Sequence, residues 1–133
     1  MTTLAPPRPA ELPGLPGLPG LPVRLSAGPA TVAEARRQVR AALDLWRAPV
    51  DPDVAVLLTS DLVTNAIRRQ PGGTITLGVR CVAGRLRVDV HGSALGPDLI
   101  LVRTLSDDWG CYPTPAGQAV YFTLAFQPDG RDG

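Results

Sequence analysis

Lysine is missing from this 133-residue chain: all thirteen basic residues are arginine. That excludes a phosphate-loop lysine, a Schiff-base lysine and any lysine nucleophile. One histidine, His91, and two cysteines, Cys81 and Cys111, are too few for a His/Cys zinc site, which needs three or four such ligands. Cys81 falls in a strand pattern and Cys111 in a loop pattern, with no disulfide framework. No run of about 18 apolar residues occurs, and Met1 to Ala10 lack a basic region followed by an apolar stretch, so neither a spanning helix nor a signal peptide is expected. These absences predict a cytoplasmic protein without a membrane partner. The net charge is only +1, which leaves no broad basic surface to hold a nucleic-acid backbone. Heavy use of Ala, Gly, Pro and Arg beside absent Lys suggests a coding bias, which raises the meaning of rare residues. The rarest informative one is Asn65, the only asparagine in the chain.

Residues 1–22 carry Leu-Pro-Gly three times in succession between Glu11 and Pro22. Proline withholds amide donors and glycine adds chain entropy, so a disordered arm is expected here. No Pro-x-x-Pro core is flanked by Arg in register, so a plain tail is favoured over a docking segment. Residues 129–133 read as a second tail, leaving about a hundred residues, 23–128, for one domain. Val23 to Ser26 alternate like a short edge strand. Thr31-Val32-Ala33-Glu34 has the form of a capping box, and Val32, Ala35, Val39, Ala42, Leu43 and Trp46 follow at helical spacing, up to Ala48-Pro49. Asp51-Pro52 caps a second helix that ends before Pro71. Thr74 to Val82 and Arg85 to Val90 alternate on either side of Ala83-Gly84, a hairpin. Leu99 to Leu105 form a short helix stopped by Gly110, and Ala119 to Phe126 a buried strand. The order β-α-α-β-β-α-β predicts a two-layer α/β sandwich, a mostly antiparallel sheet covered by helices on one face.

On the second helix Asp61 and Asn65 are four apart and share a face, which Arg68 and Arg69 extend. Such a face is either a solvated stripe with helix-internal ion pairs or a phosphate or metal site. An Asn amide oxygen suits Mg²⁺ shared with phosphate oxygens, and a carboxylate one turn earlier can accept a proton. Elsewhere His91 reads as a strand-end residue rather than a catalyst, and Trp46 and Trp109 as packing. Asp107-Asp108 read as a solvated helix end, since neighbouring helical positions diverge by about 100°.

The stretch Leu57-Leu58-Thr59-Ser60-Asp61-Leu62-Val63-Thr64-Asn65-Ala66-Ile67-Arg68 resembles the N-box helix of the histidine kinase and gyrase type ATPase superfamily, and most of all its small anti-sigma-factor serine kinase branch. Gly84 to Val90, Leu105 to Gly110 and Pro113 to Phe122 are similar to other elements of that branch, so the likeness runs from about Val23 to Phe126. The resemblance implies a Bergerat-like fold with ATP and Mg²⁺ as cofactors. It makes Asn65 the magnesium ligand, Asp61 the candidate base, and Arg68, Gly92 and Ser93 further nucleotide contacts. It implies a protein partner, a sigma factor or an anti-sigma antagonist, docking at Arg36, Arg37 and Arg40.

The chain departs from the family in three places. Asp61 stands where the family has Glu, Gly92 where it has the adenine-binding Asp, and Asp98 where it has the last glycine of a phosphate-cradling lid. A degenerate member that binds nucleotide weakly or not at all and works by docking is therefore expected. The alternatives are an active ATP-dependent protein serine kinase and a nucleotide-free homodimeric accessory domain.

Overall fold

A computed structural model describes residues 23–94, 96, 98–115 and 117–128. The arm expected over 1–22 and the tail over 129–133 lie outside the described residues. The elements run β1 (Val23–Ser26), α1 (Thr31–Trp46), α2 (Pro52–Arg69), β2 (Thr74–Val82), β3 (Arg85–His91), α3 (Ile100–Leu105), β4 (Asp108–Thr114) and β5 (Gly117–Ala125). The five strands form one antiparallel sheet in the order β1-β2-β3-β5-β4. The helices cover one face, which makes the two-layer α/β sandwich.

Period-two alternation decides which face each residue serves. Leu77 and Val79 on β2, Val88 and Val90 on β3, and Val120 and Phe122 on β5 turn to the helices and are buried. From α1 and α2 the helical stripes bring Val39, Ala42, Leu58 and Leu62 against them, all fully buried in the same core. The hairpin between β2 and β3 turns on Ala83 and Gly84 with φ of 51° and 78°, the left-handed pair that a two-residue connection demands. Asp51 caps α2 by accepting from the Asp53 and Val54 amides at 2.9 and 3.4 Å, while Arg68 and Arg69 meet the negative end of the helix.

Three expectations are corrected. The capping box does not form: Ala30 is the N-cap of α1, with no side-chain cap, and Thr31 turns back to bond Ser26 O and the Gly28 amide, serving the β1–α1 turn instead. A strand, β4, was not predicted; it begins at Asp108, so Asp108 starts a strand rather than ending a helix, and Asp107 accepts from the Ala125 amide at 2.7 Å. Cys111 accordingly lies in that edge strand, not in a loop. Trp46 and Trp109 are half-buried and pack against the core, as expected of packing residues.

Candidate functional site

The polar face of α2 looks across a cleft of about 270 Å³ toward α3 and the segment that precedes it. Asp61, Thr64, Asn65 and Arg68 line it from α2, with Asp98 and Leu101 opposite. The structure thus brings Asp61, Asn65 and Arg68 together as their spacing requires. Asn65 is only 3% exposed, so a solvated stripe is excluded at this position.

What Asn65 does is fixed by its partners. Its Oδ1 accepts from Ser93 Oγ at 2.8 Å and from the Ala94 amide at 3.1 Å. Its Nδ2 donates to Asp98 Oδ2 at 3.5 Å, and Arg68 Nη1 reaches the same oxygen at 3.3 Å. A backbone N–H only donates and a carboxylate only accepts, so these two neighbours set the orientation of the amide. The Ala94 amide holds Oδ1, the atom a magnesium ion would need, and the Ser93 hydroxyl, whose one proton serves either Oδ1 or Leu62 O, packs against it. Ligation would take the acceptor from the half-buried Ala94 N–H, at a cost of about 1 kcal/mol. Asn65 therefore ties the segment after β3 to the C-terminal part of α2, as a structural clasp. The residues present do not fit a bound Mg²⁺-nucleotide.

Asp61 is less well served. Burial pushes its carboxyl above the usual carboxylate range; the Val102 backbone N–H, in the first turn of α3, acts against that rise, the Asp98 charge adds to it, and the Arg68 guanidinium offsets it. Its Oδ2 is shielded from solvent and has no hydrogen-bond partner. Two carboxylates, Asp61 and Asp98, thus flank the cleft, and they repel a polyphosphate. The sequence marks Asp98 only as a departure from the family's lid glycine; that Arg68 and Asn65 reach it, and that the Val102 N–H supports Asp61, is visible only in the structure.

The remaining predicted contacts separate. Ser93 is buried and belongs to the clasp, its hydroxyl lying 2.8 Å from Asn65 Oδ1 and 3.1 Å from Leu62 O. Gly92 does not line this cleft; it faces a different groove, beside His91 and Tyr112. Its φ is +103°, and a Cβ there would come within 3.2 Å of Ile75 Cγ2. Gly92→Asp is therefore expected to lower unfolding stability by about 1–3 kcal/mol in urea denaturation, from a strained backbone and a crowded side chain. It is expected to add no nucleotide binding.

Arg36, Arg37 and Arg40 all lie on the exposed side of α1. Arg37 pairs with Glu34, Arg40 Nη2 lies 3.4 Å from Asp53, and Arg36 Nε donates to the neutral Ser60 hydroxyl at 2.8 Å. Arg36 is the one of the three without a carboxylate partner among the described residues. Ser60, its partner, also lines the cleft, so the arginine row and the cleft adjoin. Among the described residues, no group of three His, Cys, Asp or Glu could hold a metal ion, and no helix is long and apolar enough to cross a membrane.

No protein-family model matches the chain, and no curated protein matches it. The chemistry of the cleft is carried by the residues that line it.

Proposed function

We propose that the protein is a regulatory protein of the anti-sigma-factor serine kinase-like type whose nucleotide site has become a structural clasp, and that it acts by docking a protein partner, a sigma factor or an anti-sigma antagonist. The observation that carries this reading is the state of Asn65: the amide that would serve Mg²⁺ is spent on Ser93, Ala94 and Asp98 of its own chain. The surface around it supports docking. Leu57 and Leu101 rim the cleft at 42% and 37% exposure, and Ile100 beside them is 63% exposed. Apolar side chains left in water next to an arginine row resemble the anchor and rim of a protein interface.

Such a partner presents an apolar contact to Leu57 and Leu101 and carboxylates to α1. The Arg36→Glu, Arg40→Glu double variant is expected to lose capture of a sigma factor or antagonist in pull-down, while its melting temperature stays within a few degrees of the parent. Both side chains are exposed, and exposed pairs such as Arg40 and Asp53 are worth about 1 kcal/mol or less. Unchanged capture of every candidate partner would overturn the reading.

A further inference from the structure

The face of the sheet away from the helices carries a row of residues set by the strand register. Arg24 on β1 pairs with Thr76 on β2, which pairs with His91 on β3. The bond from the Gly92 amide to Gln118 O continues the β3–β5 register, so the row passes on to Ala119 and then to Tyr112 on β4. A groove of about 600 Å³ opens here, lined by Arg24, Thr74, Thr76, His91 and Tyr112, with Gln70 at its edge. That volume lies within the range of small-molecule sites.

The groove is polar in one sense only. Arg24 and His91 line it, with hydroxyls from Thr74 and Thr76, and none of its lining residues is acidic. Arg24 forms no ion pair among the described residues. The nearby carboxylate, Asp89, is already consumed: Arg87 clamps it through Nε at 2.8 Å and Nη2 at 2.9 Å, and the Tyr112 hydroxyl donates to it. The Arg87 guanidinium in turn lies 4.0 Å from the centre of the Tyr121 ring. In this ion pair Asp89 is buried, at 5% exposure, and Arg87 is half-buried, on a face that contributes nothing to the helix-side core. Burying it costs desolvation, and its visible effect is to fix the Tyr112 ring as one wall of the groove. His91 stands edge-on to that ring, with 6.0 Å between centroids.

We propose that this groove binds a small organic anion carrying a planar ring, with the ring laid against Tyr112 and His91 and the charge taken by Arg24 with the threonine hydroxyls. The site lies on the opposite side of the sheet from the Asn65 cleft, so it stands or falls independently of the docking function.

The test is a titration of the full chain followed by amide and side-chain NMR, with benzoate and phenyl phosphate as probes and benzyl alcohol and benzylammonium as the neutral and cationic comparisons. The expected result is saturable shifts at Arg24, Thr76, His91 and Tyr112 with one or both anions, and weaker or absent binding of the other two. The better anion distinguishes a carboxylate from a phosphate head group. Arg24→Gln, on an exposed edge residue, is expected to weaken the anion by about ten- to a hundredfold and to abolish its advantage over benzyl alcohol. An Arg24→Gln amide spectrum that stays dispersed and still shows the Tyr112 and His91 shifts with benzyl alcohol separates this loss of charge preference from misfolding. Binding of benzylammonium as tight as benzoate, unchanged affinity in Arg24→Gln, or no saturable shift in the groove with either anion would overturn the assignment.

Discussion

Asn65→Ala is expected to lower the free energy of unfolding by about 2–4 kcal/mol. The truncation takes the acceptor from the half-buried Ala94 amide and a partner from the buried Ser93 hydroxyl, and it opens a void at a position that is 3% exposed. A urea melt of the protein without ligand reads this directly as a lower midpoint at an unchanged slope. The sign and size discriminate between two roles for one side chain. An asparagine kept to hold Mg²⁺ contributes little to the stability of the ligand-free protein, whereas a clasp contributes there in full. A loss under about 1 kcal/mol would mean that the clasp is incidental.

Asp89→Ala is expected to cost about 1–3 kcal/mol, the range for losing charge-assisted hydrogen bonds, because the Arg87 guanidinium left behind is 27% exposed and water takes up part of its charge. Arg87 then loses both bonds of its fork and the Tyr112 hydroxyl loses its acceptor. Double replacement of Asp89 and Arg87 by apolar residues is expected to recover part of the loss, because no orphan charge remains. Tyr112 supplies a second readout. Burial, followed by the hydrogen bond and charge of Asp89, pushes its hydroxyl up to about 12. A raised value means that the folded state holds the proton more tightly than the unfolded chain does, so this contribution is intact at neutral pH and is lost as the pH climbs from about 10 toward about 12. In Asp89→Ala the absorbance titration of Tyr112 is expected to move back toward the ordinary tyrosine value.

The parts of the fold that were legible are those where one local signal and one period agree. Asp51-Pro52 followed by an apolar helical stripe predicts α2 from cap to end, and the alternation about Ala83-Gly84 predicts the hairpin and its turn. β4 was illegible for a physical reason. It is an edge strand, half in solvent, so Asp108 to Thr114 need not alternate cleanly, and the edge position tolerates Pro113 and also Gly110, which reads as a stop in the sequence. Thr31 misled because a threonine before an acidic residue satisfies either a helix cap or a turn, and here the nearby Ser26 carbonyl wins.

The candidate site divides in the same way. The i, i+4, i+7 spacing of Asp61, Asn65 and Arg68 on one helix suffices to bring them together, and the structure has them in one cleft. What the spacing does not contain is the partner across the gap. Asp98 lies 33 residues from Asn65, and only the return of the chain into α3 brings it within reach. Likewise, nothing local marks the Ala94 amide as the donor that occupies Asn65. The residue type pointed to an oxygen ligand, and the tertiary structure determines what that oxygen binds.

An Asn65 cleft that holds the chain to itself leaves no room for a nucleotide, and isothermal titration of the purified protein with ATP and then ADP, in excess Mg²⁺, reads this out. The expected result is no saturable heat up to millimolar nucleotide. Micromolar binding that disappears in an Asn65→Ala variant still melting cooperatively would contradict it, and would return Asn65 to the role of a metal ligand.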